Sequence, residues 1–211
     1  MGYHMNPQND EGKPAVGNPN HPKEGSSTRV EPIRDPKHIW AIKKLLADNP
    51  RNLLLFTMGI NNGLRTGDLL KLQVGQVRYV KPGEYVTIRE SKTGKENTLM
   101  INKAVHRALA EYLENEKPDD EDCLFASRKG GGPITIQRVN ALVKEWTRAI
   151  NLKGNYGAHS LRKTFGFVQR IEYGVGFEVL AKRFNHSSPA VTMRYLGIAD
   201  KEVNGILLNE I

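Results

Sequence analysis

The sequence predicts a mainly helical α+β domain with a small three-stranded antiparallel β-sheet. Three observations predict it. Apolar residues recur at helical spacing through most of the chain, in stretches bounded by Pro, Gly or Asn. Between Gln76 and Ile101 the period drops to two, the alternation of half-buried strands. Residues 1–30, rich in Asn, Pro, Gly and Ser, have almost nothing apolar to bury.

Residues 1–34 therefore read as a disordered N-terminal arm, with Met1 to Met5 resembling a cloning remnant. The domain proper runs over 35–211. Asp35-Pro36 reads as N-cap and first helical residue, and Ile39, Ile42, Leu45 and Leu46 extend that helix to about Asn49. Pro50 restarts the chain. Leu53 to Ile60 is apolar nearly all round, which predicts a central buried helix that stops at Asn61-Asn62-Gly63. Thr66 can cap a short helix that turns Leu69, Leu70 and Leu72 inward.

Three strands follow at 76–80, 84–90 and 97–101, joined by Lys81-Pro82-Gly83 and by a turn from Ser91 to Lys95. Helices are predicted over 103–114, 135–150, 159–171, 176–184 and 189–195. Val203, Ile206 and Leu207 mark a short amphipathic tail helix.

The formal net charge of +8 is unevenly distributed. Residues 1–35 hold four Lys or Arg against five Asp or Glu, which leaves 36–211 with 27 against 18. A basic folded part with no long apolar run points first to nucleic acid, because Lys and Arg that neutralise phosphates release counterions. The single cysteine, Cys123, excludes an internal disulfide and a cysteine-based metal cluster, and beside Leu124 and Phe125 it reads as a buried strand or turn residue. No segment reaches the roughly eighteen apolar residues of a membrane span, so a reducing, cytoplasmic compartment is expected.

Several residues could carry chemistry. Arg65 follows a tight Gly-containing turn after a buried helix, a base from which a guanidinium can grip two phosphate oxygens. Taken singly, such an Arg ordinarily meets solvent or a carboxylate such as Asp68. His159 and Arg162 stand three apart on one helix and share a face, so one can exchange a proton while the other holds phosphate. Lys92 sits at a hairpin tip, where an isolated lysine is usually solubilising and Lys95 is its nearest competitor. Tyr195 is the candidate nucleophile. A phenol of pKa about 10 is only about one part in a thousand ionised at neutral pH, so it needs cations and a proton acceptor nearby. His186, nine residues before it, joins Arg65, Arg162 and His159 as suppliers of both.

Read together, these residues resemble the tyrosine recombinase, or phage integrase, family over about 35–205. Its pattern comprises Gly63-Leu64-Arg65 with Asp68, a hairpin lysine matched by Lys92, His159-Ser160-Leu161-Arg162, and His186-Ser187-Ser188 with Tyr195 nine residues on. Two departures stand out. Phe184 and Asn185 replace the usual Leu and Gly before His186, and the family's N-terminal core-binding domain has no counterpart in this sequence.

The resemblance implies the tyrosine recombinase catalytic-domain fold and a site-specific recombinase that breaks and rejoins double-stranded DNA through a 3′-phosphotyrosine. Tyr195 would be the nucleophile, Arg65 and Arg162 the stabilisers of the transition state, and His159 the proton acceptor. His186 would bond a phosphate oxygen and Lys92 would be the general acid. No metal or other cofactor is implied. The resemblance further implies a homo-tetramer on DNA, a monomer or weak oligomer when free, in a bacterial cytoplasm beside the nucleoid. Two alternatives remain open at this level: a type IB topoisomerase, which uses a similar residue set, and a DNA-binding accessory factor without turnover.

Overall fold

The computed structural model describes residues 29–128 and 130–198, together with Gly205, Leu207, Leu208 and Glu210. The central element is α2 (Pro50–Asn62). Asn49 caps it by accepting the Asn52 N–H, and Pro50 stands at its first turn. Leu54, Leu55, Phe56 and Met58 along it are fully buried. It ends as predicted where Gly63 takes a left-handed conformation at φ 60°.

The preceding helix, α1 (Pro36–Leu45), opens on the expected Asp35 cap, whose carboxylate accepts the Lys37 N–H at 2.8 Å. It stops short of Asn49. The residue before a proline is pushed out of the helical region, and Asn49 is committed to capping α2.

α3 (Thr66–Leu69) is a single turn, and Arg65 rather than Thr66 occupies its cap position. β1 (Tyr85–Arg89) and β2 (Glu96–Met100) then pair antiparallel, with Tyr85 opposite Met100 and Arg89 opposite Glu96. The sheet has two strands, not the three expected. Residues 74–76 form a 3₁₀ turn, and the turns continue through Val77 N–H to Val74 C=O and Val80 N–H to Val77 C=O. Val74 and Val77, both fully buried, are three apart, so they share the inner face of a tight turn. The backbone just before them is satisfied by the 120–124 segment instead of by a strand: Leu124 donates to Leu72, Val74 to Asp122 and Gly75 to Asp120. Cys123 sits opposite Gln73 in that contact, half-buried.

The remaining helices are α4 (Lys103–Glu116), α5 (Ile136–Ala149), α6 (Ala158–Ile171), α7 (Phe177–Phe184) and α8 (Pro189–Leu196). α4 and α6 pack on α2. The approach of α6 requires Gly59, since a Cβ there would lie 2.7 Å from Leu161 Cδ1. Most buried side chains form one core around α2, and Phe177, Leu180, Phe184, Leu196 and Ile198 form a second core under α7 and α8. Phe165 and Phe167 of α6 pack on that second core, so α6 serves both.

Residues 30–33, read above as the end of an arm, pack on the domain. Ile33 is fully buried and donates its N–H to the Thr164 hydroxyl, while Glu31 and Asn155 bond through their backbones. Buried Pro32 and Ile33, the Thr164 hydroxyl and the bonds between Glu31 and Asn155 anchor this segment. The rest of the expected arm, and most of the expected tail helix, lie outside the described residues; Leu207 is exposed. No described helix is long and apolar enough to cross a membrane.

Gly166 decides how closely α6 meets the second core, because a Cβ there would lie 2.7 Å from Phe184 and 2.8 Å from Leu196. Gly166→Ala is expected to lower stability by about 1–3 kcal/mol through overpacking. Urea denaturation checks this, and an unchanged midpoint would mean that the two cores slide freely.

Candidate active site

Four segments converge: the α2–α3 connection, the hairpin turn after β1, the first turn of α6, and the α7–α8 region. Gly63 reverses the chain and Leu64 buries beneath it, so Arg65 extends into the cleft from a fixed base. Its guanidinium forms an ion pair with Glu90, whose side chain is fully buried while that of Arg65 remains 19% exposed. The carboxylate partner is thus Glu90 and not Asp68. Asp68 instead accepts both the N–H and the hydroxyl of Ser91, at 2.9 and 2.7 Å.

That contact pins the turn carrying Lys92. Glu90 closes it by donating its N–H to Lys95 and accepting the Gly94 N–H, both at 2.9 Å. Lys92 itself is exposed. Its charge reaches His159, which lies exposed at the start of α6. Partial desolvation there, with Arg162, Lys163, Arg65 and Lys92 nearby, lowers the pKa of His159 and leaves the imidazole neutral at pH 7.

Arg162 points inward and is 3% exposed. It donates to Gly63 C=O at 2.6 Å and to Phe184 C=O at 2.7 Å, and its guanidinium lies 4.5 Å from the Phe184 ring centroid. The geometry around it accounts for Phe184 and Asn185 standing where the family has Leu and Gly. Asn185 adopts the left-handed conformation at φ 50°, one of the few side chains that tolerates it in place of glycine. Phe184 supplies an aromatic floor beneath the site, with ring centroids 5.2 Å from His186 and 5.7 Å from Tyr195.

His186 Nδ1 lies 2.9 Å from the Thr192 hydroxyl, and its ring packs edge-on against Tyr195 at 5.2 Å. Burial and the charges of Arg162 and Arg65 depress its pKa to about 4, against a smaller opposing effect of Glu90. The Tyr195 hydroxyl is buried without a hydrogen-bond partner among the described residues. Burial raises its pKa, and Arg162 and Arg65 pull it back. The tyrosine therefore faces inward, toward the two arginines that would stabilise its anion. Arg65, Arg162, His159, His186 and Tyr195 share one site, with Lys92 at its rim.

Sequence reasoning missed three residues. Glu90 was read only as the last residue of a strand, although a carboxylate just before Ser91-Lys92-Thr93-Gly94 was a usable signal. Lys163 is 8% exposed and holds its ammonium 4.9 Å from the Tyr195 ring centroid; nothing in helical spacing foretold that contact. Arg183 donates to Asn62 C=O, Asn97 Oδ1 and Thr98 C=O, and so ties α7 to the sheet.

A cleft of about 400 Å³ opens between Val30, His159, Lys163, Val191, Arg194 and Tyr195. A larger one of about 570 Å³ lies beside Lys144, Arg148 and Lys153, and none of the six candidate residues lines it.

Two outcomes are expected. Arg162→Ala leaves the Gly63 and Phe184 carbonyls buried without their donor, a loss of about 1–3 kcal/mol each that urea denaturation measures. Between pH 6.5 and about 4 an unfolded histidine takes up a proton that folded His186 refuses. Stability should therefore fall as pH drops through that window, and His186→Gln should flatten this part of the curve. A His186 ring resonance titrating near its ordinary value would contradict the assignment.

The phage integrase family model matches residues 37–202. The chain is 37% identical over 172 residues to the probable integrase/recombinase YoeC of Bacillus subtilis, covering 80% of this chain and 90% of that protein. It is 25% identical over 193 residues to tyrosine recombinase XerA of Pyrococcus horikoshii, with 85% of this chain covered but 66% of the relative. Among solved structures, the XerA recombinase crystal structure superposes with a TM-score of 0.68 at 18% identity, covering 86% of this chain and 67% of that one. The catalytic domain of bacteriophage HP1 integrase gives 0.54, also at 18% identity, covering 86% and 96%. The matched span contains every residue of the site just described, and the chain belongs to the phage integrase family of tyrosine recombinases.

Proposed function

We propose that this protein is a site-specific DNA recombinase that cleaves and rejoins strands through a 3′-phosphotyrosine on Tyr195. The observation that carries the reading is the burial of the Tyr195 hydroxyl, unpaired, beside two arginines, in a site whose two histidines are neutral at pH 7. An unpaired buried hydroxyl is unfavourable unless a substrate supplies its partner. A scissile phosphate bound between Arg65 and Arg162 would do so.

In the forward step the Tyr195 oxygen attacks phosphorus while His159 takes the phenolic proton. Arg65 and Arg162 hold the charge that develops on the non-bridging oxygens. With His186 Nδ1 accepting from Thr192, its Nε2–H donates to one of those oxygens. The bond from phosphorus to the 5′ oxygen breaks, and Lys92 protonates that oxygen as it leaves. Rejoining reverses each transfer. A 5′-hydroxyl attacks the phosphotyrosine, gives its proton to Lys92, and Tyr195 leaves with the proton held by His159.

Double-stranded DNA is the substrate, consistent with a charge of 27 Lys and Arg against 18 Asp and Glu over residues 36–211. A relative in solved form, XerH, is bound to palindromic difH DNA in a post-cleavage complex. Four protomers act together on paired sites in a bacterial cytoplasm, each cutting one strand.

The test is covalent trapping on nicked duplexes tiled across the DNA that flanks its own gene, quenched in detergent. An adduct is expected on wild type and none on Tyr195→Phe, with DNA affinity nearly unchanged in the variant. A Tyr195→Phe protein that still forms the adduct would sink the assignment.

A further inference from the structure

Glu90 is the most heavily engaged side chain of the site that the mechanism does not use. It follows directly on β1, and its side chain has no solvent exposure. One carboxylate oxygen receives Arg65 and, at 2.7 Å, the Thr93 hydroxyl; the other receives the Asn97 amide at 2.8 Å. Burial alone would push this acid up, but hydrogen bonds from Thr93, Asn97 and Arg65 hold it at about 2, so it is ionised at any working pH.

Its partners belong to different parts of the fold. Arg65 comes from the α2–α3 connection, Thr93 from the hairpin turn and Asn97 from β2. Lys92 lies between two anchored neighbours, with Ser91 held by Asp68 and Thr93 held by Glu90. Asp68 reaches only Ser91, whereas Glu90 reaches both a cation of the site and the loop that bears the other. The Arg65 guanidinium uses Nη1 for Glu90, and among the described residues its other N–H groups carry no hydrogen bond. They remain as donors for a phosphate.

We propose that Glu90 is a positioning residue that sets Arg65 and the Lys92 hairpin in register, so that the phosphate grip and proton delivery to the leaving oxygen depend on the same buried carboxylate. The proposal rests on the recombinase reading above. Glu90 touches neither phosphate nor nucleophile. It acts on Arg65 by charge and on Lys92 through Thr93, and a displacement of about 1 Å at such groups can reduce a rate about a hundredfold.

The test compares wild type, Glu90→Gln and Glu90→Ala in two measurements. The first is hydrogen–deuterium exchange of residues 91–95 in the free protein. The second is single-turnover cleavage of a nicked duplex carrying either the ordinary 5′ oxygen or a bridging 5′ sulfur at the scissile phosphate. A thiol has a pKa of about 8.5, so its thiolate leaves without a proton and makes the general acid dispensable.

Faster exchange in the hairpin is expected for Glu90→Ala, with a smaller increase for Glu90→Gln, which fills the same space and keeps one of the two acceptor oxygens. Cleavage by Glu90→Gln should slow about a hundredfold on the oxygen substrate at unchanged DNA affinity. The sulfur substrate should recover part of the loss, as is expected also for Lys92→Ala, and the unrecovered part reports on Arg65. Wild-type cleavage by Glu90→Gln would overturn the proposal, as would a loss shared equally by binding, thermal stability and both substrates. If wild type itself forms no adduct, the recombinase reading has failed. The exchange measurement then decides alone, and unchanged protection in Glu90→Ala refutes the coupling.

Discussion

The rest of the structure depends on the buried guanidinium of Arg162. It is the one side chain that bonds both the Gly63 carbonyl, at the end of α2, and the Phe184 carbonyl, at the end of α7. Those carbonyls lie where helices terminate and backbone acceptors have no partner of their own. A single planar donor fork satisfies both and joins the core around α2 to the smaller core that carries His186 and Tyr195. The Phe184 ring lies beneath that fork, 4.5 Å from its central carbon, and adds a cation–π contact. Chemistry and architecture are therefore not separable at this position: the group proposed to hold the phosphate also holds the two halves of the site together.

Around that clamp, the surplus of positive charge is managed by few carboxylates. Desolvation, and after it the charges of Arg162, Lys163, Arg65 and Lys92, depress the protonation of His159, and burial followed by the two arginines does the same to His186. Both imidazoles are thus free to accept or relay protons at neutral pH. Glu90 is the buried counter-charge that keeps the arrangement tolerable in the free protein, and its three hydrogen-bonded partners make its ionisation cheaper than its burial alone would allow. The tyrosine sits where its neutral form is favoured by burial and its anion by the arginines. Such a balance suits the proposed nucleophile, which would ionise only when phosphate arrives.

Much of this was legible in the chain itself. Helix starts at Asp35-Pro36, Asn49-Pro50 and Ser188-Pro189 announce themselves through caps and prolines, because those signals act within a few residues. The third strand was misread for a related reason. Val74 and Val77 bury at a spacing of three, but the polar residues between Val77 and Val80 imitate alternation, and only the 120–124 segment, some forty-five residues away, shows where the backbone of 72–75 makes its bonds. Contacts across that separation have no local signature.

The sequence by itself determined which residue types are present, their order, and the helices and turn that present them: Arg65 past a left-handed glycine, Lys92 in a hairpin, His159 and Arg162 on one helix, and Tyr195 nine residues after His186. Only the tertiary structure decided how they are used. It turned Arg162 into a buried clamp, chose Glu90 over the nearer Asp68 as the partner of Arg65, laid Lys163 over the Tyr195 ring and anchored residues 30–33 on α6. The division has one physical cause. Propensity, capping and periodicity are set by neighbours in the chain, whereas burial, ion pairing and pKa are set by neighbours in space, and these exist only once α2, α6 and α7 have packed.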